Sequence, residues 1–149
     1  MPSQLDLDTA YVKMAEIWSQ LSKAKRKKVG CIIVKNGMII SDGYNGTPKG
    51  FDNNCEMQDP RICWAQEITK PEVLHAESNA ITKLAKSTQS SINSTLYSTA
   101  SPCLDCSKLI IQSGISRVFF KEIYKNLDGV NLLLDADIQV DTLDHSMYK

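Results

Sequence analysis

Two short segments constrain this chain more than anything else in it: His75-Ala76-Glu77, and Ser101-Pro102-Cys103-Leu104-Asp105-Cys106. Together they carry three soft metal ligands, one imidazole and two thiols, and a carboxylate that is not needed as a ligand. Zinc takes imidazole and thiolate donors, and a catalytic zinc keeps three protein ligands while leaving its fourth position to water. His75, Cys103 and Cys106 supply that count, and Glu77 is left free to move protons. Any fold that uses the set must bring two segments separated in sequence to one point.

Local sequence makes that convergence reasonable. Ser101 reads as an N-cap and Pro102 as the first residue of a helix, which places Cys103 and Cys106 in the first turn of a helix ending at Gly114. Residues three apart share a helix face, and a helix N-terminus favours thiolate over thiol. His75 and Glu77 open a second helix to about Lys86, with Ala76, Ala80, Ile81 and Leu84 at helical spacing. A lone Cys-x-x-Cys is ambiguous among structural zinc, a redox pair and chance. The ordered combination of His-x-Glu and Pro-Cys-x-x-Cys reads as zinc deaminase chemistry: metal-activated water attacks the amidine carbon of an amino-heterocycle, and the Glu is general acid and base.

The 149 residues, 42% of them hydrophobic, suffice for one domain spanning 1–149. Seventeen basic residues balance seventeen acidic ones, which argues against a nucleic-acid binder and leaves a small charged metabolite open. There is no apolar run of membrane length, the first residues lack a basic and apolar leader, and five cysteines is an odd number. The expectation is a cytoplasmic location, no membrane partner, and thiols used for metal rather than disulfides.

Taken in order, Leu7, Tyr11, Met14, Trp18 and Leu21 predict an amphipathic helix from about Asp8 to Ala24, capped by Asp6 or Asp8 and lying on a sheet. The run from Lys23 to Lys28 carries five positive charges in six residues. It reads either as a solvated loop or as a phosphate site in which Arg26 acts bidentately. Val29 to Val34 predicts a central strand with Cys31 in the core, and Asn36-Gly37 a hairpin turn into Met38–Ser41. Gly43 to Gly50 reads as a turn or a ligand loop, with Asn45 able to bond a sugar hydroxyl. Residues 51–74 read as an irregular loop, in which Cys55 and Cys63 are either spectators or, with Cys31 or His145, ligands of a second metal. Strands over 94–99, 116–121 and 138–140 and a helix over 130–136 complete the order αββαβαβαβ. This predicts an α/β fold: a three-layer α/β/α sandwich around a five-stranded mixed sheet, with the strands that follow the two site helices parallel.

With those pieces placed, the chain resembles the deoxycytidylate (dCMP) deaminases of the cytidine deaminase superfamily, most of all the phage-encoded kind. The resemblance is carried by Val29-Gly30, Gly43-Tyr44-Asn45-Gly46-Thr47-Pro48, His75-Ala76-Glu77-Ser78-Asn79-Ala80-Ile81, Ser101 to Cys106 and Gln112-Ser113-Gly114-Ile115. It implies a cytidine deaminase-like fold and conversion of dCMP to dUMP and ammonia for dTTP synthesis, in the host cytoplasm if the chain is phage-encoded. It implies Zn2+ on His75, Cys103 and Cys106, Glu77 as the catalytic acid and base, Arg26 on the substrate phosphate, Asn45 on the sugar, and Ala76, Ser101 and Tyr124 lining the pocket. It further implies a homohexamer activated by dCTP and inhibited by dTTP with Mg2+, through Gly43, Tyr44, Asn45, Gly46 and Lys86. At Lys86 some phage relatives carry an arginine; lysine keeps the charge but not the fork. The readings that compete are deamination of dCTP or of an RNA base, and a zinc module that binds nucleotides without turnover.

Overall fold

The computed structural model describes residues 1–62 and 66–148. The first helix, α1 (Gln4–Ser19), starts on a capping box: the Asp6 N–H donates to Ser3 Oγ at 3.1 Å and the Ser3 N–H to Asp6 Oδ2 at 3.0 Å. It therefore begins four residues before the expected start, caps on Ser3 rather than on an aspartate, and ends at Ser19 instead of Ala24. Its buried side also differs from the expected one. Asp8, Val12, Ala15 and Ser19 face the sheet, while Leu7, Met14 and Leu21 are exposed. The reason lies beneath the helix at Gly30, where a Cβ would stand 1.9 Å from the Ala15 carbonyl oxygen. Backbones that close admit only Ala and Ser between them, so small residues, not large ones, mark the sheet-facing stripe.

Strand β1 (Gly30–Lys35) turns into β2 (Met38–Tyr44) through Asn36 and Gly37, both at positive φ (51° and 74°), as a two-residue hairpin turn of the favoured twist requires. β2 runs on through Gly43 and Tyr44, so the ligand loop read from the glycines starts only at Asn45. The segment expected to be irregular contains two three-residue strands, β3 (Glu56–Gln58) and β4 (Glu67–Thr69), paired antiparallel as a separate sheet. Then follow α2 (Ala76–Leu84), β5 (Thr95–Ala100), α3 (Leu104–Gln112), β6 (Arg117–Glu122), α4 (Asp128–Asp135), β7 (Gln139–Thr142) and a 3-10 turn over His145–Tyr148.

The main sheet has the order β2-β1-β5-β6-β7. β1 is antiparallel to both β2 and β5, whereas β5, β6 and β7 are mutually parallel, so the five-stranded mixed sheet expected from the sequence is present. Alternation along the central strands divides the core. Ile33, Leu96, Val118 and Phe120 face α2, α3 and α4 together with Cys31, Ala80, Ile110 and Leu133. Ile32, Val34, Tyr97 and Phe119 face α1 with Val12 and Ala15. The result is α1, sheet, then α2, α3 and α4: three layers. The starts of α2 and α3 lie together above the C-terminal end of β5, where crossover α/β folds build their sites.

Candidate active site

His75 and Cys103 hold equivalent places, each the N-cap of its helix with an extended backbone. Ser101 is thus not the cap of α3. That position belongs to Cys103, whose sulfur accepts from the Cys106 N–H at 3.4 Å. Ser101 instead ties two loops together, its hydroxyl accepting from the Tyr124 N–H at 2.9 Å. The cap geometry aims both donors out of their helices and toward each other. His75 Nδ1 lies 3.4 Å from Cys103 Sγ and 3.3 Å from Cys106 Sγ, and the three donor atoms all fall within 4.8 Å of one another.

Those separations suit a tetrahedral ion. Zn–N and Zn–S bonds of about 2.0 and 2.3 Å at a tetrahedral angle put N and S about 3.5 Å apart. Among the described residues no fourth Cys, His, Asp or Glu joins the group, which leaves one coordination position open. His145, the only other histidine, belongs to the C-terminal 3-10 turn. Cys31 is a core residue on β1, Cys55 is buried ahead of β3, and neither forms a second metal cluster among the described residues. Cys63 lies outside the described residues.

The electrostatics prepare the thiolates. A hydrogen bond from Cys106, with His75 beside it, pulls the Cys103 thiol down to about 4, while its bond with Cys103 and then burial push the Cys106 thiol up. The bond to Cys103 raises the His75 imidazole as well. Glu77 follows one residue into α2 and is only 4% exposed. Burial, the largest influence on it, raises its carboxyl above the usual range, and the Ser98 hydroxyl donates to Oε1 at 3.1 Å from the centre of β5. Acid–base work needs a carboxyl less acidic than a free one, and burial shifts Glu77 in that direction.

His75, Cys103 and the Glu77 carboxyl line a pocket of about 390 Å³. Of the residues expected to meet substrate, Arg26, Asn45, Ala76, Ser101 and Tyr124 all line it. Asn45 does more than line it: its amide accepts from the Val29 N–H at 2.9 Å and donates to the Lys27 carbonyl at 2.8 Å, holding the basic loop in shape. Gly43 is committed to packing, since a Cβ there would stand 2.4 Å from the Ala76 carbonyl oxygen. Tyr44 is partly exposed, and its carbonyl accepts from the Asn79 side chain at 2.8 Å. Lys86 is exposed just beyond the end of α2.

Lys27 belongs to the basic run already read as a candidate phosphate site, whereas Lys125, Arg61 and Ser98 had no role in the sequence reading. Lys27 and Lys125 each stand 5.3 Å from the Tyr124 ring, and Lys27 also pairs with Glu122 at 2.6 Å. Arg61 enters from the connection between β3 and β4, paired with the buried Asp59 at 2.8 Å. Ser98 had a signal, the inward alternation of β5. Arg61 had none, because three-residue polar strands leave no periodicity.

A profile of the cytidine and deoxycytidylate deaminase zinc-binding region matches residues 5–122. The chain is 34% identical to the deoxycytidylate deaminase of Enterobacteria phage T4, covering 87% of this chain and 86% of the phage protein. It is also 34% identical to the deoxycytidylate deaminase of Schizosaccharomyces pombe, and there it spans 89% of its own length but only 42% of the yeast protein. Among solved structures, the dCMP deaminase of cyanophage S-TIM5 in complex with dCMP and dUMP superposes with a TM-score of 0.86 at 44% identity, over 95% of this chain and 99% of that one. A three-layer sandwich with a His/Cys/Cys zinc site and a buried glutamate beside it defines a zinc-dependent deaminase class. The chain belongs to the cytidine and deoxycytidylate deaminase family, and the phage dCMP deaminases among its relatives are spanned over most of their length.

Proposed function

We propose that the chain hydrolyses dCMP to dUMP and ammonia, with zinc held by His75, Cys103 and Cys106. The observation that carries this reading is the placement of Glu77, buried and free of the donor set, in a pocket that Arg26 also lines. Bound zinc supplies the Lewis acidity that makes water a nucleophile near neutral pH. Glu77 takes the proton of that water, passes it to the ring nitrogen, and then carries a proton to the departing amine. Ser98 fixes the orientation of the carboxyl by holding Oε1. Atoms balance: water gives its oxygen to the ring carbon, and its two protons complete the ring N–H and ammonia.

Arg26 takes the 5′-phosphate, having no carboxylate within ion-pair distance among the described residues, unlike Lys27 and Arg61. Asn45 meets the sugar with whatever hydrogen-bonding capacity its two loop contacts leave, and Ala76, Ser101 and Tyr124 shape the space around the base. The proposal extends to regulation: dCTP activates, dTTP with Mg2+ inhibits, and the assembly is a homohexamer. Effectors act at Tyr44, Asn45, Gly46 and Lys86, with Gly43 as the spacer that seats the loop on α2. Asn45 supports this link, since it belongs to the effector loop and also braces the loop of Arg26.

Release of ammonia and dUMP by the zinc-loaded chain tests the reading, using dCMP, deoxycytidine and dCTP as substrates with and without dCTP or dTTP and Mg2+. Preference for dCMP is expected, raised by dCTP and lowered by dTTP. Preference for dCTP as substrate would move the reading to a triphosphate deaminase, and zinc without turnover to a binding module.

A further inference from the structure

The loop that carries Arg26 is a run of like charges with no helix or strand of its own, from Lys23 to Lys28. Such a run repels itself and gains little from burial, so its shape must be imposed from outside. Three side chains impose it. Ser22 Oγ accepts from the Ala24 N–H at 3.2 Å. Asn45 takes the Lys27 carbonyl and the Val29 N–H. Glu56, on β3, accepts from the Lys25 N–H with both carboxylate oxygens, at 2.5 and 3.3 Å. The anchors at Lys25 and Lys27 leave one residue between them, Arg26.

Glu56 is unusual in its own right. It is 3% exposed, and among the described residues it has no cationic side chain in ion-pair distance. A buried carboxylate without a partner is costly, and this one spends its charge on one backbone N–H inside the most basic stretch of the chain. The neighbouring strand adds a second tie, Glu67 to the Lys25 ammonium at 3.7 Å.

We infer that Glu56 is a positioning residue for the nucleotide phosphate, fixing the backbone at Lys25 so that Arg26 faces the pocket before substrate arrives. The inference rests on the proposed reading of Arg26 as the phosphate-binding residue. It assigns a task to the small β3–β4 sheet, which braces the basic loop at Lys25 while Asn45 braces it at Lys27 and Val29. Binding a phosphate to a loop already ordered avoids the entropy of ordering it then.

Steady-state kinetics of the zinc-loaded full chain on dCMP and on deoxycytidine, which lacks the phosphate, test this. Glu56→Ala is expected to raise KM for dCMP about ten-fold, with kcat and the deoxycytidine constants held within about three-fold. Glu56→Gln, whose amide oxygen still accepts from Lys25, should restore KM to within about three-fold of the parent. In the Arg26→Ala background the effect of Glu56→Ala should vanish. Should Glu56→Ala not fold, Glu56→Asp, with its acceptor drawn back by one methylene, takes its place with the same expected rise. Equal loss on dCMP and deoxycytidine would make Glu56 merely structural and overturn the inference. So would unchanged KM in Glu56→Ala when Arg26→Ala raises it. If Arg26→Ala itself leaves KM for dCMP unchanged, the phosphate reading fails and takes the inference with it.

Discussion

The Ser98 hydroxyl donates to Glu77 Oε1 at 3.1 Å, so a residue at the middle of β5 orients the buried carboxyl at the start of α2. Both groups are buried, Ser98 completely. A hydrogen bond to a charged group in such a place contributes about 1.5–3 kcal/mol, so Ser98→Ala should lower kcat by about 10- to 100-fold. Zinc content should not change, because Ser98 touches none of the donors. Parallel metal analysis and kinetics check this; metal lost along with activity would show that Ser98 supports the whole site.

Gly43 controls the seating of α2. Its missing Cβ allows β2 to approach the Ala76 carbonyl and the Ala80 N–H, where a methyl would meet atoms at 2.4 and 2.8 Å. Gly43→Ala should therefore push away the helix that begins with His75 and Glu77, costing about 1–3 kcal/mol of stability and weakening zinc binding. Denaturant midpoints with and without zinc measure both effects. A variant with unchanged metal affinity would separate the strand–helix contact from the site.

On the other side of the sheet, Arg117 clamps Asp8 through two bonds of 2.8 Å, and the Tyr97 hydroxyl adds a third at 2.6 Å. Burial alone would raise the Asp8 carboxyl, but the bonds from Arg117, Tyr97 and Gln4 outweigh it and hold the pKa below its ordinary value. The unfolded chain, with a carboxyl near 3.9, binds the proton first. The stabilisation is therefore complete above about pH 4 and is lost as pH falls through the lowered folded value. Asp8→Asn should cost about 3 kcal/mol at pH 7, since it leaves a largely buried guanidinium short of its partner, and should flatten the dependence below about pH 4. Urea midpoints across that range read both.

Metal binding should release protons. The Cys103 thiol is held low while the bond with Cys103 and burial push the Cys106 thiol up, and zinc requires both as thiolates. Titration calorimetry of the metal-free protein in buffers of differing ionisation enthalpy should report at least one proton released per zinc at pH 7, from Cys106 with a further share from His75, and affinity should rise with pH. Affinity independent of pH would contradict this account of the donors.

The metal site was legible because its residue types are rare and their spacing is tied to helix starts: His75, Glu77, Cys103 and Cys106 converge as the sequence reading expected. The central strand and the Asn36-Gly37 turn were legible for a similar reason, strong local chemistry. The sheet-facing side of α1 was not. Large apolar residues at Leu7, Met14 and Leu21 suggested one face, while close approach at Gly30 and the ion pair of Asp8 selected another. Hydrophobic spacing cannot register a helix seated on a glycine or a buried aspartate paired 109 residues away. Nor could it reveal the β3–β4 sheet, whose strands are polar and three residues long and are held by single side chains such as Glu56.

The central claim is that Glu77 does the proton work beside a metal it does not bind. Zinc content and dCMP turnover, measured on the same preparations of the parent chain and of Glu77→Ala, test it most directly. The account predicts equal zinc in the two and turnover reduced at least about 100-fold in the variant, the scale of general acid–base catalysis. Loss of zinc in Glu77→Ala, or retained turnover, would contradict it.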